Sequence, residues 1–340
     1  MSDLNPKVFR GKTVLITGGT GSFGGTFVRR LLQGDVGEVR IFSRDEAKQY
    51  AMRFALDDDR AKFYLGDVRD KDSLDLAMRG VDYVFHAAAL KQVPNCENFP
   101  DQAILTNALG SQNVIRAAIR ADVERMVCLS TDKAVYPVNA MGMSKALMEK
   151  LVQSESRHFS DKKHSTTLSI VRYGNVMCTR GSIIPLFVDK IKNGEPLTLT
   201  IPTMTRFLLS LNQSVDLVET AFAHGNPGDL FIHKSAACTV AVLTDAIKQA
   251  MNVPDHEVII AGIRPGEKIH ECLASSLEMN QSVDMGQYLK VVNDKSDMID
   301  SNSDYSMDIQ DYTSEVTRQL DVDEVTALLL ALPEFQKLVA

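Results

Sequence analysis

Apolar residues in the first half of the chain fall in short unbroken runs, each closed by glycine or a polar turn. The runs are TVLITGG (13–19), EVRIFSR (38–44), AKFYLGDV (61–68), DYVFHAA (82–88), ERMVCLST (124–131) and TLSIVRYGN (167–175). A strand apolar on both faces is one buried between two layers, as in a parallel sheet covered by helices. After the first run, Phe23, Phe27, Leu31 and Leu32 recur at helical spacing as far as Gly34. Helical segments separate most of the other runs as well. This alternation predicts an α/β fold, a Rossmann-type doubly wound parallel sheet with right-handed crossovers. Residues 1–175 are assigned to it, and 208–235 return to it because SLNQSVDLVETAFAHG (210–225) has helical spacing. Residues 176–207 and 236–340, including HEVIIAGIRPGEKIHECL (256–273), are assigned to a smaller C-terminal α/β lobe and a closing segment. The polar, acidic stretch 293–308 reads as a loop, and DVDEVTALLLALPEFQKL as a helix begun by Asp321.

The first run opens into TGGTGSFG, which sets Gly18, Gly21 and Gly24 between a strand and an amphipathic helix. Such spacing allows a tight turn, close approach of backbone to a pyrophosphate, and packing of helix on strand. Thr20, Ser22 and Phe23 belong to the same turn, where free N–H groups and the helix dipole favour anions. A dinucleotide site shows its preference for NAD or NADP some twenty residues later. There the chain has Ser43, Arg44 and, one turn on, Lys48, rather than a carboxylate closing the second run. An arginine fork suits a ribose 2′-phosphate, so NADP is the expected cofactor. Asp67 and Val68 of GDV are placed at the adenine. Ala87, Ala88, Ala89 and Lys91 of HAAALK lie where the chain must pass close to the cofactor.

Charge and cysteines narrow the partners. With 37 Lys and Arg against 44 Asp and Glu, the net charge of −7 argues against a nucleic-acid surface. Cys96, Cys128, Cys178, Cys238 and Cys272 are scattered and read as free thiols of a reducing compartment. Neither they nor the seven histidines, His86 among them, show metal-ligand spacing, so no metal is expected. The N-terminus has no apolar signal core and no 18-residue apolar run occurs, so a cytoplasmic protein without membrane insertion is expected.

Taken together, TGGTGSFG, GDVRD, HAAALKQVP, Asn107 in LTNALGSQNV, and LSTDKAVYPVNAMGMSK resemble the extended short-chain dehydrogenase/reductase superfamily. More narrowly, STDKAVYP, RYGNV, RGSIIPLF, MTRFLLSL and GEKIHE follow the order seen in bacterial UDP-N-acetylglucosamine 4,6-dehydratases of polysaccharide biosynthesis. The resemblance covers nearly the whole chain. Met141 stands four residues before Lys145, where the superfamily carries a catalytic tyrosine. With the C-terminal DYTSEVTRQLDVDEV, it points to the branch that inverts carbon 5 and begins N-acetyl-L-fucosamine synthesis for capsule and O-antigen. Pro265 and His270 depart from the pattern.

The resemblance implies a lyase that takes UDP-N-acetylglucosamine, uses NADP and forms a homo-oligomer. Carbon 4 is oxidised, the carbon 5 proton is removed, the carbon 6 hydroxyl leaves as water, and the hydride returns to carbon 6. In STDK, Asp132 is then the expected acid and Lys133 the expected base, the latter with a pKa lowered by the nicotinamide and Lys145. Lys145, by analogy, holds the nicotinamide ribose, and Met141 walls the pocket. The carbon 4 hydroxyl proton passes to Thr131, Lys133 or a water. The nucleotide half of the substrate is assigned to Lys91, Asn175, Arg206, Arg264 and Glu267, and Asn107 to the cofactor. Two other readings stay open. A UDP-hexose 4-epimerase needs only the carbon 4 step, and Met141 would suit a non-catalytic NADP-binding sensor.

Overall fold

The computed structural model describes residues 6–158, 166–263, 266–293 and 309–340. Arg264, Pro265 and all but Asn293 of the acidic 293–308 stretch lie outside the described residues.

The six apolar runs become β1 (Thr13–Thr17), β2 (Glu38–Ser43), β3 (Ala61–Leu65), β4 (Tyr83–His86), β5 (Arg125–Leu129) and β6 (Thr167–Arg172). All six pair in parallel, and Ile16 stands between Ile41 and Phe85 in register. Across the sheet the order is Ser282–Asp284, Tyr288–Val291, Leu230–His233, β6, β5, β4, β1, β2, β3. The direction of winding reverses between β1 and β4, and ligands of such sheets bind outside the carboxyl ends of the strands at that point.

Side chains alternate across the sheet, so each strand feeds two cores. Leu15 and Val84 face helices Lys71–Met78, Ser111–Arg120 and Ala140–His158, whose Leu74, Ile115 and Met148 are fully buried. Val14 and Ile16 face helices Ser22–Leu32 and Leu211–His224, through Phe27, Val218 and Phe222. Each such side chain contributes about 1.5–3 kcal/mol on leaving water. A third core, around Phe187, Leu243, Val325 and Phe335, belongs to the smaller lobe. It is built on the three-stranded sheet of Asn175–Val176, Thr205–Leu209 and Ala237–Thr239.

Three details differ from the sequence reading. The run 167–175 breaks after Arg172, because Gly174 passes so close to Phe207 that a Cβ would lie 2.6 Å from that side chain. Asn175–Val176 then pairs with Thr205–Leu209. The closing helix divides into Val322–Ala331 and Pro333–Val339, since Pro333 cannot continue the first and holds Leu332 extended. Ser282–Asp284 and Tyr288–Val291, assigned to the lobe, extend the large sheet: Tyr288–Val291 pairs antiparallel with Leu230–His233, and Ser282–Asp284 antiparallel with Tyr288–Val291.

One ion cluster joins distant parts of the chain. Arg172, 2% exposed, ends β6 with its guanidinium 2.5 Å from Glu149 and 3.0 Å from Glu278. Its Nη1 also donates to the Leu273 carbonyl, and Ser130 Oγ donates to Glu149.

Candidate functional site

The glycine turn sits at the winding reversal. Gly18 has φ +71°, which few other residues adopt, and a Cβ there would lie 2.9 Å from the backbone N of Ala88 after β4. A Cβ on Gly24 would meet the Gly18 carbonyl at 2.6 Å, so strand and helix could not close up. Gly21 caps helix Ser22–Leu32 without a side chain, and no acid stands in the first turn. The N-terminal N–H groups and the dipole are thus arranged for a phosphate, which a nicotinamide dinucleotide would supply. Phe23 contributes backbone alone, its ring being packed on Phe85 and Tyr173.

Beside this turn, Thr20 and Ser43 hydroxyls meet at 3.0 Å and tie the glycine loop to the end of β2. Arg44 is largely exposed, 3.6 Å from Asp67. Asp67 also accepts from the Arg69 guanidinium at 2.6 Å, and despite burial its pKa falls because of these arginines. Lys48 is ion-paired with Asp45, the N-cap of its own helix. Val68 is buried against Gly110, Ala89 is exposed, and Lys91 Nζ donates to the Arg180 carbonyl at 2.8 Å.

After β5 the chain makes a single 3₁₀ turn, Asp132–Ala134. Asp132 is 1% exposed; Thr131 Oγ1 donates to its Oδ1 at 2.8 Å and Lys133 Nζ at 3.0 Å. Lys133 Nζ also lies 3.2 Å from the buried Glu271, and Arg206 Nε 4.0 Å from the same carboxylate. Burial disfavours the charge on Lys133, yet Asp132 and Glu271 outweigh it and raise its pKa above the usual lysine range. The two carboxylates thus favour the ammonium form of Lys133, the opposite direction to the lowered pKa expected of a base. Asp132 Oδ2, Glu271 Oε2, Asn175 Oδ1 and Glu267 Oε2 are buried and have no hydrogen-bond partner among the described residues. Each such atom costs about 1–3 kcal/mol until something satisfies it, as a bound polar ligand would.

Helix Ala140–His158 lies directly over this turn. A Cβ on Gly142 would fall 2.2 Å from the Lys133 carbonyl, so only glycine permits the approach. Met141 is 5% exposed and packs with Cys96, Ala103, Leu90 and Val93. Lys145 is buried, donates to Met148 Sδ at 3.1 Å, and has its pKa brought down to about 8 by burial. Asn107 lies on a π-helical stretch, Ile104–Gly110. It is fully buried, exchanging hydrogen bonds with both backbone groups of Leu90 and donating to Ser144 Oγ. It therefore positions the loop after β4 against the helix. His86 completes the frame: Ser111 Oγ donates to the Asn107 carbonyl, so His86 Nε2 donates to Ser111 and Nδ1 accepts from Thr17. Burial, with the Lys145 charge, pushes its pKa down to about 3.

The structure thus brings Thr131, Asp132, Lys133 and Arg206 together and adds Glu271 and Gly142. Glu271 lay hidden in GEKIHE, where nothing separates it from Glu267 by spacing. Among the described residues no His, Cys, Asp and Glu group could hold a metal, and no helix is long and apolar enough to cross a membrane.

Residues 14–293 match the family described as polysaccharide biosynthesis protein. Proteins named UDP-glucose 4-epimerase from Rickettsia rickettsii (strain Sheila Smith) and Rickettsia akari (strain Hartford) are each 50% identical over 340 residues, covering 97% of this chain and 98% of theirs. The X-ray structure of Pen from Bacillus thuringiensis superposes with a TM-score of 0.88 at 34% identity, covering 97% of this chain and 99% of that one. DesIV, a dTDP-glucose 4,6-dehydratase from Streptomyces venezuelae with NAD and TYD bound, gives 0.69 at 25% identity over 76% and 86%. The relatives at 50% identity are named as epimerases, which are isomerases, and this overturns the lyase class expected from the sequence. Fold, site and relatives agree on one placement: the chain belongs to the polysaccharide biosynthesis protein family, among the nucleotide-sugar epimerases and dehydratases of the extended short-chain dehydrogenase/reductase superfamily.

Proposed function

We propose that the chain interconverts UDP-hexoses epimeric at carbon 4, with UDP-N-acetylglucosamine and UDP-glucose as the substrates to offer first. The observation that carries this reading is the Thr131–Asp132–Lys133–Glu271 cluster at the carboxyl end of β5. A nicotinamide dinucleotide in the Gly18–Gly24 turn would supply hydride acceptance and return at carbon 4. The chain's own task is then to move the proton of the carbon 4 hydroxyl. With methionine at position 141, Thr131 Oγ1 takes that proton as it hands its own to Asp132. Lys133, fixed as an ammonium, keeps Asp132 from drifting and stabilises the charge it exchanges. The same relay runs backwards when the ketone is reduced on its other face. Asn175, Glu267 and Arg206 are proposed for the nucleotide half, where the arginine fork suits a diphosphate. The exposed Arg44 beside the β2 end favours NADP over NAD.

Proton NMR of the purified protein with each UDP-sugar tests the reading. The expected result is the galacto-configured sugar nucleotide with carbon 6 intact; a product that has lost its carbon 6 hydroxyl would overturn it. Arg44→Asp should weaken NADP more than NAD, and equal wild-type affinity for both would remove the NADP assignment.

A further inference from the structure

The segment Cys178–Ser182 crosses the mouth of the glycine turn from outside the large sheet. The Arg180 backbone N–H donates to Ser22 Oγ at 3.3 Å, and its carbonyl accepts from Lys91 Nζ at 2.8 Å. One residue thus spans the first-turn helix and the loop after β4, the two walls of the crevice at the winding reversal. The crossing is well built. Cys178 (φ +58°) and Gly181 (φ +76°) both turn left-handed, and the latter lies so close to Gln92 that a Cβ would come within 2.4 Å. Ser182 closes the turn by donating to the Thr179 carbonyl through both its hydroxyl and its N–H. The Arg180 side chain itself is exposed.

We propose that Cys178–Ser182 is a strap over the dinucleotide and that Arg180 binds the cofactor's phosphates from the side opposite the helix N-terminus. This rests on the reading that a nicotinamide dinucleotide occupies the Gly18–Gly24 turn. The guanidinium is within electrostatic reach of both ends of the crevice. Asp45 has its pKa lowered mainly by Lys48 with a contribution from Arg180, and Lys91 has its pKa lowered by burial and then by Arg180. Arg180 and Lys91 are neighbouring cations that repel each other, Asp45 is already paired with Lys48, and the first turn of helix Ser22–Leu32 holds no acid, an arrangement that suits a bound anion. A strap of this kind keeps the cofactor in place through a cycle in which it is oxidised and reduced without exchange.

The test is cofactor release from the full chain. Protein loaded with NADPH is mixed with excess NADP, and the loss of bound-NADPH fluorescence is followed for wild type, Arg180→Ala and Arg180→Lys. UDP affinity and melting temperature are measured alongside. Loss of one charge-assisted contact should speed release about 10- to 100-fold in Arg180→Ala, with lysine restoring part and UDP affinity and melting unchanged. Release within twofold of wild type would overturn the proposal. A fall in UDP affinity with unchanged release would likewise overturn it and move Arg180 to the sugar-nucleotide diphosphate. A wild-type protein that takes up no dinucleotide would overturn the cofactor reading, and the strap with it.

Discussion

In the proposed reaction, a proton leaving the carbon 4 hydroxyl would enter the protein at Thr131 Oγ1, which donates to the Asp132 carboxylate at 2.8 Å. Removing the hydroxyl should therefore cost what a positioned proton carrier is worth. Thr131→Val is expected to lower kcat about 10²- to 10⁴-fold with KM little changed, while Thr131→Ser keeps most of the rate. Steady-state kinetics decide: a valine variant as fast as wild type would hand the step to water. Met141 makes the opposite prediction. It packs with Cys96 and Ala103 and carries no group that can exchange a proton, so Met141→Ala should lose about 2–5 kcal/mol of stability through the cavity left behind. Its kcat per folded molecule should stay within a few-fold of wild type, as urea denaturation and kinetics on the same sample would show. Whether a residue's chemistry is used or silenced was the part hardest to read from its letter. Asp132 and Lys133 stand out after an apolar run, but only folding reveals that Glu271 clamps the lysine's proton.

Among the elements, helix Ala140–His158 carries the greatest electrostatic load. Lys145 is buried on it, and burial, opposed by Cys128 and Glu149, takes its pKa from 10.5 to about 8. Below about pH 8 the folded protein holds a buried ammonium that the unfolded chain hydrates better. Between about 8 and 10.5 the unfolded chain binds the extra proton, so this group makes stability rise with pH through that window. Lys145→Met should accordingly be more stable than wild type at pH 7, with the difference shrinking as pH rises from about 8 to 10.5. Urea midpoints of both proteins at several pH values check this, and a pH-independent difference would refute it. The parallel strands inside the edge strand β3 were legible because burial on both faces leaves apolar runs with little else to explain them. Ser282–Asp284 and Tyr288–Val291 were not, since strands of three and four residues are too short for their pattern to stand out from a loop. The glycine turn was legible for another reason: its backbone geometry forbids most other residues, as Gly18 and Gly24 show.

At the scale of the whole molecule, the Arg172 cluster binds the large sheet to the segment that follows the smaller lobe. Glu278→Ala leaves a fully buried guanidinium with one carboxylate in place of two. The loss expected is about 3–5 kcal/mol, the cost of breaking a buried pair from one side. Since Glu278 touches none of the reacting groups, cofactor affinity of the folded fraction should be kept. A melting temperature equal to wild type would show that Glu149 alone suffices. The same cluster also has a history during synthesis. Arg172 and Glu278 are 106 residues apart, so the ribosome finishes the arginine long before its second partner exists. At elongation rates of about 5–20 residues per second, that interval is on the order of 5–20 s. For that time Glu149 alone offsets the burial of the cation that ends β6, and for about the first half of it the sheet also lacks Leu230–His233 beyond β6. The nascent chain thus spends seconds with an open sheet edge, the state in which a chaperone or a second growing chain would find it.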